Sequence, residues 1–186
     1  MILPVIAYGD PVLRKVGKNI GQDYPGMKEL IENMFETMYS SHGIGLAAPQ
    51  IGLAIRLFLV DSSQMDEEPT GIKKVFINAR ILERFGPNEE LEEGCLSIPF
   101  IRENVLRPSS VRIEYFDTSF KKHEEVFEDM NARVIQHEYD HTEGIMFTDL
   151  VKPLRKRLLK KKLMQISKGN VNPSYKMKYP LASKVR

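Results

Sequence analysis

The chain has 186 residues, 42% of them hydrophobic, which suffices for one sizeable core and makes a single domain the expectation. No apolar run reaches membrane-spanning length, and the opening MILPVIAYGD has no basic stretch ahead of its short apolar one, so neither a membrane span nor a secretory leader is expected. A single cysteine excludes an internal disulfide and suits a reducing compartment, so the cytoplasm is the expected location.

The net charge of +2 conceals a division. Residues 1–150 hold all 25 acidic side chains and 15 basic ones, a balance of −10, whereas residues 151–186 hold 12 basic side chains and no acidic one. Such a tail either meets an anionic surface, nucleic acid being the obvious one, or packs back on the acidic body.

In chain order, Pro25 opens an expected helix in which Met27, Leu30, Ile31, Met34, Phe35 and Met38 recur at helical spacing up to Gly43. A glycine-rich loop, HGIGLAAPQIG, follows, then a strand near residues 55–60 and a polar surface loop at 62–70. The loop resembles a dinucleotide fingerprint only superficially, because its glycines follow a helix and precede a strand, the reverse of that motif's order. Strands are expected at 74–78, at 81–85, around Val111, Ile113 and Tyr115, and at Val126–Phe127. Asp129 is read as the cap of a second helix that Gly144 stops. Beyond Pro153, Leu154, Leu158, Leu159 and Leu163 mark a basic amphipathic helix, and an irregular end follows Gly169. Short strands without βαβ alternation argue for an α+β fold.

Chemistry concentrates in the second helix, as His137-Glu138-Tyr139-Asp140-His141. Histidines four apart lie on one helix face, a turn from each other, where both reach a single metal ion. Glu138 lies on a neighbouring face, badly placed to ligate but able to hold a water. Only four histidines occur in the chain, so an accidental pairing on this helix is the weaker reading. Cys95 is the leading third donor, after Glu92, Glu93 and Gly94; on chemistry alone a thiol packed as a small apolar residue remains the alternative. Three donors would leave a fourth position open, as catalytic sites require.

Three segments together carry a resemblance. GIGLAAPQ at 43–50, EGCLS at 93–97 and QHEYDH at 136–141 match, in order and spacing, the signature motifs of the peptide deformylases. The ILPVIAYGDPVLR opening is similar to that family's N-terminal segment, and the resemblance extends to about Asp149. It implies a catalytic domain at 1–150 in which antiparallel β-strands surround a central helix bearing the HExxH motif. Residues 151–186 would be a basic helix and tail, part of the same domain or an appendage, similar to the C-terminal helix with which bacterial-type members dock on the ribosome.

The implied reaction is removal of the N-formyl group from the formyl-methionine of newly made polypeptides, releasing formate. By match, Cys95, His137 and His141 are the metal ligands, Glu138 is the catalytic residue, and Gln50 with the backbone N–H of Leu96 stabilises the oxyanion. Ile44 and Val134 are read as walls of a methionine pocket and Gly45 as a backbone contact to the peptide. The family implies Fe(II), although affinity order favours Zn(II) and other divalent metals can substitute. A monomer without membrane association is expected, acting on N-formylmethionyl nascent peptides.

The chain departs from the common pattern at Thr142, where leucine is frequent, and at Asp129, where glycine is frequent. The competing readings are a zincin-like metallopeptidase and a ribosome-associated module with a structural metal. The first needs a downstream third ligand and the second a fourth protein ligand, and no residue is convincing for either. Because no signature residue lies after Asp149, turnover of small peptides is expected to survive loss of the tail.

Overall fold

The computed structural model describes residues 1–65 and 70–181. Residues 66–69 of the expected surface loop and residues 182–186 of the expected irregular end therefore lie outside the described residues. The fold is mixed α/β with an antiparallel sheet, in agreement with the expected α+β class. Its elements are β1 (Val5–Ile6), α1 (Met27–Ser40), β2 (Gly45–Ala47), β3 (Leu57–Asp61), β4 (Lys73–Cys95), β5 (Ile98–Phe116), β6 (Lys122–Glu128), α2 (Asp129–Thr142), α3 (Phe147–Leu150), α4 (Pro153–Ser167) and β7 (Met177–Lys178). Strands β2 to β6 form one antiparallel sheet in chain order, and β1 pairs with β7 in parallel.

Strand β4 corrects the reading of residues 74–78 and 81–85 as separate strands. It is one strand of 23 residues, paired with β3 at its start and with β5 from Ile77 to Cys95, and interrupted by register shifts. At the first shift Asn78 takes φ +51°, donates its backbone N–H to the Arg56 carbonyl, and brackets Ile20 by accepting from its N–H and donating to its carbonyl. The bulge thus has partners for its backbone and side chain, and it bends the strand without ending it. Further shifts follow at Ile81/Glu83 and Phe85/Asn88, and the acidic stretch at 89–95 continues the strand to Cys95. The glycine-rich segment is likewise more regular than a loop: β2 followed by a single 3-10 turn at Ala48–Ile51.

Helix α2 is almost wholly buried, from Asn131 through Thr142. It packs against β2, β3, β5 and β6. Ala132, Val134 and Ile135 meet a core in which Phe58 and Phe76 stack at 4.7 Å between ring centroids. Among the described residues no helix is long and apolar enough to cross a membrane.

Four further expectations change. Helix α1 starts at Met27, after Gly26 in the left-handed region, two residues later than Pro25 suggested. In α4 only Leu159 and Leu163 of the four leucines are buried; Leu154 and Leu158 face solvent, because the helix packs through Leu159, Leu163 and Ile166. The end after Gly169 is not irregular throughout, since it contains β7.

The last change concerns Asp129, which does not cap α2: Glu128 holds the cap position without a side-chain bond, and Asp129 is the first helical residue, at φ +50°. That conformation is open to glycine and tolerated by aspartate. Asp129→Ala should therefore destabilise the fold by about 1 kcal/mol relative to Asp129→Gly, as read from urea unfolding. Equal stability of the two variants would show that the left-handed entry imposes no strain.

Candidate active site

Three chain segments converge on one point. Cys95 is the last residue of β4, immediately before the two-residue turn Leu96–Ser97 that leads into β5, while His137 and His141 project from one face of α2. One donor atom from each of the three lies within 4.8 Å of the others, and Cys95 Sγ stands 3.3 Å from His141 Nε2. The two histidines are buried and the thiol half-buried.

The imidazole of His137 is oriented by a carboxylate: its Nδ1 lies 2.9 Å from Glu93 Oε2, which leaves Nε2 for a ligand. Glu93 in turn accepts from Arg107 at 2.6 and 3.1 Å and from Arg133 at 3.0 Å, and Arg107 reaches Asp140 at 2.6 Å. All four charged side chains are buried. Burial alone would push the Glu93 carboxyl up, but the bonds from His137 and Arg107 prevail and hold it well below the usual carboxylate range. Sequence reasoning passed over Glu93 as a neighbour of the cysteine and overlooked Arg107, Arg133 and Asp140. The one available signal was the presence of charge in segments otherwise patterned for burial.

Glu138 is buried as well, and its setting is the opposite of that of Glu93. Its Oε2 has no hydrogen-bond partner, and burial, with the charge of Glu93 nearby, pushes its carboxyl up to about 7. Its room is made by Gly45: a Cβ there would lie 2.6 Å from Glu138 Oε1. Gly45 is therefore constrained by Glu138, which the sequence did not disclose.

Gln50 is fixed at its oxygen by the Ala47 N–H at 2.8 Å, which turns its amide nitrogen toward Cys95 Sγ at 3.3 Å and Ser97 Oγ at 3.5 Å. The site opens into a cavity of about 630 Å³. Ile44, Gly45, Gln50, Cys95, Leu96, Val134, His137 and Glu138 all line it; His141, the one other residue singled out from the sequence, lies behind them against the thiol.

A thiol and two imidazoles close enough to hold one metal ion, with a buried carboxylate beside a cavity, are a donor set of the kind mononuclear metallohydrolases use. The family model for polypeptide deformylase matches residues 2–157. A peptide deformylase of Christiangramia forsetii is 52% identical over 196 aligned positions, covering the whole of both chains, and one of Cytophaga hutchinsonii is 52% identical over 97% of this chain and 99% of its own. Among solved structures, the Legionella pneumophila deformylase superposes with a TM-score of 0.81 at 34% identity, over 91% of this chain and 98% of that one. The Thermus thermophilus enzyme gives 0.81 at 36% identity, over 91% and 99%. The chain belongs to the polypeptide deformylase family, the hydrolases that remove the N-formyl group from nascent polypeptides.

The buried charges give a stability test. Arg107→Leu leaves Glu93 and Asp140 buried without their main counter-charge, so it should destabilise the fold by about 3–5 kcal/mol. Chemical denaturation measures this, and a loss under about 1 kcal/mol would mean that Arg133 on Glu93 and Arg84, 3.6 Å from Asp140, suffice.

Proposed function

We propose that Cys95, His137 and His141 hold one divalent metal and that Glu138, Gln50 and the Leu96 N–H carry out deformylation of N-formylmethionyl peptides around it. The observation that carries this is the convergence of the three donors beside a buried carboxylate oxygen that has no partner. The donor set fits such a metal: burial holds His141 well below its usual range and hence neutral, and although burial also disfavours charge on His137, its contacts to Cys95 and Glu93 prevail and draw a proton there. A divalent cation held by Cys95, His137 and His141 would replace that proton. A zincin-type site would need a ligand downstream of His141, and a closed structural site a fourth donor; the cluster found among the described residues has neither.

When bound, the metal supplies a Lewis acid that acidifies water and polarises the formyl carbonyl. Glu138 takes a proton from the attacking water and returns it to the departing amine, so that formate and a free α-amino group result. Gln50 Nε2 and the Leu96 N–H donate to the formyl oxygen as its charge grows. Ile44 and Val134 wall the side-chain pocket, and Gly45 both admits Glu138 and offers backbone to the peptide. The metal is Fe(II) in this reading, with Zn(II) and other divalent ions able to substitute.

Residues 1–150 are the catalytic body, with strands around the HExxH helix, and the described part of the tail, residues 151–181, packs onto it as part of one domain. The enzyme works in the cytoplasm as a monomer and meets the ribosome through α4. Arg155, Lys156 and Lys152 of that region pair with Glu103, Asp149 and Glu90, which supports packing on the acidic body, while Arg157, Lys160 and Lys161 stand exposed.

Two experiments test these assignments. Cys95→Ser should reduce metal retention and activity together, whereas Glu138→Gln should keep the metal and lose about two to four orders of magnitude in kcat. Loss of metal from Glu138→Gln would make that residue a ligand, and normal turnover with full metal in Cys95→Ser would remove the thiol from the site. For the ribosome, co-sedimentation of the parent should fall steeply with salt, and replacing Arg157, Lys160 and Lys161 by glutamine should weaken it and flatten that dependence while leaving formyl-peptide turnover unchanged. Unaltered sedimentation would refute docking through α4.

A further inference from the structure

The segment beyond α4 returns to the active site. Gly169, at φ +76°, turns the chain back, and β7 is held by β1 through Val5 N–H to the Lys176 carbonyl and Ala7 N–H to the Lys178 carbonyl, both at 2.9 Å. On the way, Pro173, Ser174 and Tyr175 line the same cavity as Cys95, Gln50 and Glu138. The Tyr175 hydroxyl donates to the Leu96 carbonyl at 2.8 Å, and the Tyr8 N–H donates to the Ser97 carbonyl at 2.9 Å. Leu96 and Ser97 are the two residues of the turn between β4 and β5. Both carbonyls of that turn are thus gripped from outside the hairpin, one by the tail and one by the N-terminal segment. The two grips are tied to each other by the β1–β7 pair.

An active-site donor on a short turn must hold its direction as charge develops on the substrate, because a donor misplaced by a fraction of an ångström loses most of its value. The Leu96 carbonyl belongs to the peptide plane that follows the one bearing the Leu96 N–H, so a hydrogen bond to it limits the φ and ψ of Leu96 and through them the direction of that N–H. We propose that Tyr175 is a positioning residue for deformylation, which through the Leu96 carbonyl fixes the turn so that the Leu96 N–H points at the formyl oxygen. This rests on the reading of Leu96 and Gln50 as the oxyanion donors. It also reverses the expectation that turnover is indifferent to the tail, since the tail supplies part of the cavity wall and this bond.

The test is steady-state kinetics of the full-length, metal-loaded Tyr175→Phe enzyme on formyl-Met-Ala-Ser, with metal content and thermal midpoint measured alongside. The ring is kept, so the thermal midpoint should stay within about 4–5 °C, the shift expected for at most one lost hydrogen bond. The kcat and kcat/KM values should fall together by about three- to tenfold, the kinetic equivalent of that bond, at unchanged KM and metal content. A tyrosine with a merely structural role would move the midpoint and leave kcat alone, and that result overturns the proposal, as does a fall in kcat that only follows lost metal. Gln50→Ala, measured in parallel, separates the two layers. If it lowers kcat by about two to three orders of magnitude while Tyr175→Phe matches the parent, the oxyanion reading stands and the role of Tyr175 fails. If Gln50→Ala leaves kcat intact, the oxyanion reading fails and the proposal falls with it.

Discussion

The Glu93 carboxylate, buried between two guanidinium groups and one imidazole, is the constraint on which the site depends. It joins three separate parts of the molecule, for Glu93 lies on β4, Arg107 on β5, and Arg133 with His137 on α2. Buried ion pairs are poor sources of net stability, because desolvation offsets much of their attraction. Their geometric effect is another matter. Removing any member strands a charge in the interior, so the hairpin and the helix cannot slide past each other without a large penalty. Since Cys95 follows Glu93 by two residues, clamping Glu93 to α2 also sets the distance from the thiol to the histidines.

Glu93 and Glu138, both buried, are driven in opposite directions by their surroundings. Glu93 has four hydrogen bonds from cationic or imidazole nitrogens and stays ionised; Glu138 has a bare oxygen and is pushed toward the neutral range. A carboxyl already satisfied by strong donors is a structural anchor and a poor base. One that is desolvated and unpaired, facing a cavity, is suited to exchanging a proton. The same side-chain type therefore serves two purposes 45 positions apart, and the neighbours decide which. Gly45 belongs to this division, because any larger residue would displace Glu138 from the cavity.

The local parts of this arrangement were legible in the sequence. His137 and His141 share a helix face by simple periodicity, and the glycines near Gln50 announced a backbone that something approaches closely. The alternation of Val111, Ile113 and Tyr115 gave the buried face of β5. What escaped were features set by partners remote in sequence. The bulge at Asn78 looks like a strand end until its bonds to Ile20 and Arg56 are known. Arg107 and Glu93 sit in different segments, and nothing local says that they meet. Thr142 departs from the usual leucine, yet its hydroxyl is satisfied within the helix by the Tyr139 carbonyl at 2.7 Å, so a polar group is buried there at little expense. Each failure is a case of tertiary structure supplying a partner that local pattern could not foresee.

The basic tail shows how far charge counting can mislead about architecture. A strongly positive segment after a strongly negative body suggests an arm held out toward something anionic. The same helix, however, carries Leu159, Leu163 and Ile166 into a core shared with Ile98 and Ile101 of β5, directly beyond the turn that follows Cys95. Arg155 lies across Glu103 on that same strand at 2.5 and 2.8 Å. Apolar burial of this kind is insensitive to salt, whereas exposed lysines respond to it strongly. One face of α4 is therefore fixed to the strand that begins at the catalytic turn, and the other remains free to meet an anionic surface. A contact made on the free face would bear on an element already locked to the site, which is why the tail cannot be treated as an appendage independent of the chemistry.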